Sequence, residues 1–395
     1  MDDAFRGFNK FLRKILLQLG FKNSIIDWEC YYRLINGTRD EIYIHVDDGA
    51  LIGKKSSIEQ VIHELEKKVS LRYSSELNTF LGWQITRNRA DRILMVSMKN
   101  YILSLTDVFG PPSNRIYYTP IEVNHSLLDN FQKATNTPEP KTILAYQKKL
   151  GKLMYTLAIR KDVYFAVNYA SQFVTNPQPE HFKLLNRIFN YLYYTANFGI
   201  VLGNLSDTPL ECYVDASHNA ETKGRSRYSS LLYFHGSLVA GSSKIIKQPS
   251  FSSAESEYFA IAEGAKLILY AQQFLESIEL PVAKPTVLKT DNKAAIYLTE
   301  STKYHERTKH ISLKCHAIRF FVANGDIKIE FVRSKDQAAD GLTKPRSTSE
   351  FIKFRTLLNI KDVTTMQGNV KFNENQNNGL TTNSSTGNGM PSITL

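Results

Sequence analysis

The stretch LECYVDAS (210–217) is a β-strand that ends on an acid, Asp215, and together with the segments after it decides the fold. RYSSLLYFHGSLVAGSSK (227–244) reads as a hairpin turning at His235-Gly236. SFSSAESEYFAIAEGAKLILYAQQFLESIEL (250–280) opens a long helix, with Ser252 and Glu255 three apart as a capping box requires. That spacing gives Glu255 a structural task. Glu257 lies on the same helical face as Ile261, Ala265 and Ile268, so it points toward the sheet. TVLKTDNKAAIYL (286–298) is a second strand, ending at Asp291, with Asn292 available to cap the next helix. IKIEFVRSKDQAADGLTK (327–344) is a third strand, a turn and a short helix bearing Asp336 and Asp340. Alternating strands and helices predict an α/β domain over 207–350.

Each of these acids alone is an ordinary cap or turn residue; together they are harder to dismiss. Strands closing side by side would bring Asp215, Glu257, Asp291 and Asp340 to one sheet edge, where four bare carboxylates repel one another. A pair of divalent ions holds such a group together. Hard oxygen donors with no His or Cys at metal spacing favour Mg2+, or Mn2+, over zinc. Two such ions suit phosphodiester hydrolysis, one activating water and the other stabilising the leaving oxygen.

The rest of the chain sets the context. Its 395 residues are 42% hydrophobic and allow two or three domains. Lys and Arg outnumber Asp and Glu by 49 to 38, which favours a polyanionic partner but also fits any soluble basic protein. Cys30, Cys212 and Cys315 lie far apart without a CxxC, so neither a disulfide framework nor a zinc site is suggested and a reducing compartment is expected. No apolar run approaches the roughly 20 residues a membrane span needs. The first residues, MDDAFRGFNKFLRKILLQLGF, are too charged for a signal peptide and predict an amphipathic helix with Phe8, Phe11, Leu12, Ile15, Leu16 and Leu19 on one side.

Texture divides the chain further. Residues 1–120 mix strands (EIYIHV, GALIG, TFLGWQITRN, RILMVSM) with a helix, SSIEQVIHELEKKVSLR. Residues 121–206 form a connector, helical and basic over 141–200, where Lys141, Lys148, Lys149, Lys152, Arg160, Lys161, Lys183 and Arg187 face only Asp162 and Glu180. Aromatics interleave with these charges; core packing beneath a solvated basic face is the plainer account, a base-stacking platform the sharper one. Residues 351–395 are expected to be a mostly disordered tail, apolar periodicity being lost after 363.

These segments together carry a resemblance. YVDAS, SSAESEY, LKTDNKAA, RTKHISLKCH and DQAADGLTKP resemble the ribonuclease H domain that ends the Pol polyprotein of copia-type long-terminal-repeat retrotransposons. Upstream, LGFKNSIIDWECYY, HVDDGALIG, FLGWQI, AYQKKLGKLMYTLAIRKDVYFAVNYASQF and NPQPEHF are similar to that family's reverse transcriptase palm and the segment joining it to ribonuclease H. The resemblance covers about residues 5–350 and implies that Asp215, Glu257, Asp291 and Asp340 are the four metal-binding acids. His310 matches a family motif without an assigned role. Asp47 and Asp48 match the polymerase hairpin, although His45 replaces its usual aromatic residue and no third polymerase aspartate is found, so polymerase activity is expected to be lost.

The expectation is therefore α/β: a partial palm of α+β type, a helical connector, and a ribonuclease H-like mixed five-stranded sheet with flanking helices. The reaction implied is metal-dependent cleavage of RNA in RNA–DNA hybrids, selected through 2′-hydroxyls and groove shape. Lys148, Lys149, Lys152, Arg160 and Lys161 would hold nucleic-acid phosphates. Expected partners are nucleic acid and the rest of the Pol polyprotein, with no membrane, in a cytoplasmic virus-like particle or the nucleus. Two rivals stand beside this: a non-catalytic nucleic-acid-binding remnant, and a transposase or integrase. In the latter the glutamate comes last in sequence, whereas here it falls between the first two aspartates.

Overall fold

The computed structural model describes residues 2–123, 137–218, 224–250, 252–300, 312–366 and 392–394. The chain divides into two compact units, Met1–Ile85 with Ala271–Val282 and Thr365–Leu395, and Thr86–Tyr270 with Ala283–Thr364.

The first unit is α+β, as expected of its strand and helix pattern. Its sheet runs in the order Lys22–Asn23, Cys30–Ile35, Thr38–His45, Asp48–Ile52, Ser392–Thr394, Ser70–Arg72. Helix Asp2–Gln18 buries Leu12, Ile15 and Leu16 and helix Lys55–Glu66 buries Val61 and Leu65, joining Tyr31, Ile42 and Ile44 in one core. Spacings of three and four make these single stripes, and each buried aliphatic contributes about 1.5–3 kcal/mol. Phe11 falls outside the stripe and is 41% exposed. The helix expected through Arg72 stops at Glu66, because Val69 and Leu71 meet the core at a spacing of two. A buried pair, Arg33 Nε to Asp40 Oδ2 at 2.8 Å, is completed by the Ser57 hydroxyl at 2.5 Å and the Leu19 carbonyl at 2.8 Å.

The second unit carries the mixed five-stranded sheet. Its order is Ser237–Ile245, Arg227–Phe234, Leu210–Ser217, Thr286–Thr290, Ile327–Phe331. The first three strands are antiparallel neighbours, and the last two run parallel to Leu210–Ser217. The hairpin turns at His235 and Gly236, at φ 45° and 75°, the left-handed pair a two-residue loop of this hand needs. Helix Ser253–Ser277 covers the face that holds Cys212, Val214 and Leu288; its residues from Ala271 belong to the first unit. A Cβ on Gly264 would stand 2.4 Å from Val214 Cγ1, so this closeness requires glycine. The architecture is α/β, and its mixed five-stranded sheet is the one expected.

The basic segment folds into the same unit. Helices Pro140–Thr156, Tyr164–Ala170 and Pro179–Tyr194 bury Tyr146, Leu153, Phe165, Tyr169, Ile188 and Tyr191. Of the interleaved aromatics Tyr146, Phe165 and Tyr169 are core, while Tyr155 is 44% exposed. A second sheet pairs Ile93–Ser97 with Phe198–Gly203 and that strand with Ile360–Asp362, all antiparallel. Order therefore runs past 350: helix Thr348–Leu357, with a Ser347–Glu350 capping box, buries Phe351 and Phe354, and Leu358 and Ile360 are buried after them. Most of the expected disordered tail, residues 367–391, lies outside the described residues. Among the described residues no helix is long and apolar enough to cross a membrane.

Candidate metal centre

Three of the four expected acids meet. Asp215 sits near the end of its strand opposite Ser229; Asp291 comes directly after the parallel neighbour Thr286–Thr290; Glu257 enters from the first turns of the covering helix. The helix starts where the capping pattern says, with the Ser252 hydroxyl oxygen accepting from the Glu255 N–H at 3.1 Å. That start turns Glu257 inward with Ile261, Ala265 and Ile268, all at most 1% exposed. Asp215, Glu257 and Asp291 each present a carboxylate oxygen within 4.8 Å of the others.

The electrostatics are those of an acid cluster that Lys344 and Arg346 offset only in part. Glu257 is 8% exposed, and its Oε2 is buried with no hydrogen-bond partner. Burial, then the charges of Asp215 and Asp291, push its carboxyl up to about 9. Asp215 is pushed up to about 6 by burial, with the Thr343 hydrogen bond opposing and the charge of Asp291 adding. Asp291 Oδ2 accepts from the Ser334 hydroxyl at 2.8 Å. Three converging carboxylates, one with an orphaned buried oxygen, fit a hard divalent cation; the sulfur and imidazole donors a softer metal prefers are absent from the group.

Asp340 is not brought into that group. The expected short helix is two 3₁₀ turns, Ser334–Asp336 and Ala338–Leu342, which put Asp336 and Asp340 on separate turns. The second turn is pinned to the sheet by contacts the sequence did not reveal. Gln337 Nε2 donates to the Val214 carbonyl at 3.0 Å, Ser229 to Ala339 at 2.8 Å and Ser243 to Leu342 at 2.6 Å. Gly341 is required because a Cβ there would meet the Phe354 ring at 2.3 Å. Asp340 itself is buried and paired, through Oδ1 to Lys344 Nζ at 2.6 Å and through Oδ2 to Arg346. The local cation pair wins because it removes repulsion, whereas joining the three acids would add to it.

The other expected site residues are spread out. Asp47 and Asp48 are exposed at the hairpin whose closing pair is His45–Asp48, with Val46 in the left-handed region at φ 59°. A β-branched residue there is a true outlier. Among the described residues, no third acid joins these two in a metal-sized group. Lys148 and Lys152 are exposed, while Lys149 lies with Nζ 4.7 Å from the Phe109 ring centre. Arg160, expected to face phosphates, is 0% exposed, its Nε and Nη2 bonding the two Asp162 oxygens at 2.9 and 2.8 Å. Lys161 is half-buried with Nζ 5.7 Å from the Tyr164 ring centre, and burial lowers its ammonium to about 8. His310 lies outside the described residues.

No family model matches the chain. It is 30% identical over 365 residues to the retrovirus-related Pol polyprotein from transposon RE1 of Arabidopsis thaliana, a match over 92% of this chain and 24% of that protein. The corresponding protein of transposon TNT 1-94 from Nicotiana tabacum is 30% identical over 319 residues, 79% of this chain and 24% of that one. A foamy viral protease-reverse transcriptase solved in complex with RNA/DNA hybrid aligns over 84% of this chain and 38% of its own at 14% identity, with a TM-score of 0.44. The chain thus spans about a quarter of the length of the curated relatives it matches. It belongs to the retrovirus-related Pol polyproteins of retrotransposons.

Proposed function

We propose that the second unit hydrolyses the RNA strand of RNA–DNA hybrids, using divalent ions held by Asp215, Glu257 and Asp291, with Asp340 as the fourth acid. The observation that carries this is the meeting of three acids, from two strand ends and a helix, within 4.8 Å of one another beside a buried oxygen that nothing satisfies. Membership of the Pol family supports it. Magnesium or manganese bound there would activate water and stabilise the leaving ribose oxygen. The chain's own residues present the donors: the Thr343 hydroxyl orients Asp215, the Ser334 hydroxyl orients Asp291, and helix packing through Gly264 fixes the depth of Glu257. Lys148 and Lys152 offer phosphate contacts that do not read sequence. No polymerase chemistry is assigned to Asp47 and Asp48, which lack a third acid among the described residues.

A non-catalytic nucleic-acid binder is the second reading, favoured by one observation: Asp340 is neutralised by Lys344 and Arg346. One experiment separates the two. Purified protein is incubated with labelled RNA–DNA hybrid, duplex RNA and duplex DNA, in magnesium and in EDTA, beside Asp215→Asn and Asp291→Asn. The proposal expects hybrid-selective cleavage in magnesium only, lost in both folded variants. Hybrid binding without cleavage would establish the binder instead.

A further inference from the structure

Arg346 stands at the edge of the acid cluster in a position that the proposed reaction does not use. Its guanidinium contacts Asp340 Oδ2, and its side chain is 17% exposed against 51% for Lys344, the other partner of Asp340. Burial lowers the pKa of this guanidinium, while Glu350, Asp215 and Asp291 oppose that shift, so both site aspartates lie within its electrostatic reach. The turn itself is already docked. Thr343 gives its hydroxyl to Asp215 at 2.5 Å and its N–H to the Asp340 carbonyl at 3.3 Å, so Asp340 is a neighbour of the cluster whose oxygens are engaged elsewhere.

We propose that Arg346 is the resident counterion of Asp340, which a second divalent ion must displace before the fourth acid can join Asp215, Glu257 and Asp291. The proposal rests on the metal-centre reading and adds an order to its assembly. A guanidinium stays protonated across any working pH, so it leaves only by competition, from a cation for the carboxylate or from an anion such as a phosphodiester for the arginine. It has somewhere to go: Glu350 Oε1 is 3.8 Å from Arg346 Nη1 and is more exposed than Asp340. The three-acid group is then the first ion's site, open from the start. The second site opens only against an ion pair, so the two affinities are unequal by construction.

Manganese binding to the full chain, counted by electron paramagnetic resonance of the free ion and by calorimetry, tests this without reference to activity. The unmodified protein should bind two ions, the first lost in Asp215→Asn and a second, weaker one lost in Asp340→Asn. Arg346→Ala and the length-preserving Arg346→Gln should tighten the second site by about tenfold, as expected for loss of a charge-assisted bond competing with it, and change the first by less than about twofold. Arg346→Lys should stay near the unmodified protein. A second site that Arg346→Ala and Arg346→Gln leave within about twofold overturns the counterion role while leaving the metal centre intact. Absence of any Asp215-dependent manganese overturns the metal centre, and the counterion role with it.

Discussion

Thr343 ties the first acid to the turn that carries the fourth: its hydroxyl is 2.5 Å from Asp215 Oδ2 and 3.0 Å from the Asp340 carbonyl oxygen. Both aspartates are buried, so the hydroxyl is the polar contact that lets a charged Asp215 persist between a strand end and a 3₁₀ turn. Thr343→Val keeps the shape and removes the donor. It should destabilise the protein by about 1–3 kcal/mol, the usual effect of stranding a buried polar group. It should also raise the carboxyl of Asp215 further, since the lost bond favoured the charged form. Thr343→Ser should retain most of the stability. Denaturant melts of the three proteins at pH 7 measure the difference, and a valine variant as stable as the parent would remove Thr343 from the site's support.

The acid cluster makes metal-free stability depend on pH in a definite direction. Glu257 titrates near 9 and Asp215 near 6 in the folded chain, both above their ordinary carboxylate values. Between the unfolded and folded values the native state holds protons that the unfolded chain has released, so stability falls as pH rises. In EDTA the melting temperature should decline from about pH 4 to pH 9, with both acids contributing up to about pH 6 and Glu257 alone above it. Saturating magnesium should reverse the trend, because the ion needs the deprotonated form and its stabilisation grows with pH. Thermal melts across that range, with and without magnesium, check both slopes. Asp215→Asn should flatten the EDTA curve in its lower half.

How much of this was visible in the sequence differs residue by residue. Asp215, Glu257 and Asp291 could be placed because local rules fix them: two close strands, and the third shares a helical stripe with Ile261 and Ala265. Asp340 could be found but not its state, since Lys344 and Arg346 come four and six residues after it and only the 3₁₀ turn brings both to one carboxylate. The contacts that pin that turn, from Gln337, Ser229 and Ser243, join residues between 99 and 123 positions apart, beyond the reach of any local pattern. Arg160 read as one more surface cation. Its partner Asp162 was in plain view two residues on, but burial is set by Thr195 and Tyr191 on a later helix and its end. Strand Ser70–Arg72 pairs with Ser392–Thr394, a match no local pattern announces.

The basic helices separate accordingly. Lys148 and Lys152 are exposed, whereas Arg160 is the core of an ion pair with Asp162 that also bonds the Thr195 carbonyl at 2.8 Å. Replacing Lys148 and Lys152 together by Ala should leave the fold intact and weaken binding to hybrid, RNA duplex and DNA duplex alike. On duplex DNA each lost phosphate contact should remove about 0.9 from the log–log salt slope. Arg160→Ala should act in the opposite way, destabilising the protein by about 3–5 kcal/mol because Asp162 is left as an unpaired buried charge. Salt titrations of binding and denaturant melts of both variants form the test. Unchanged binding in the lysine double variant would make that surface a solvated face.

Two glutamates separated by one residue offer the sharpest test of the site. Glu255 lies in the first turn of the helix, where its own N–H is capped by Ser252, and its partly exposed side chain is outside the three-acid group. Glu257 is in that group, buried, with Oε2 lacking any partner. Glu255→Gln should therefore leave hybrid cleavage and manganese binding close to the parent. Glu257→Gln resembles the protonated carboxyl that the fold already favours, so in EDTA it should melt at least as high as the parent at pH 8. It should nevertheless lose divalent binding and cleavage together, because the amide supplies no charge to hold an ion. The pairing of retained or increased stability with lost metal binding is what a merely structural glutamate would not produce. If Glu255→Gln abolished binding and Glu257→Gln spared it, the inward face of this helix would be misassigned. If Glu257→Gln lowered stability and left manganese binding unchanged, the three carboxylates would not be a metal site.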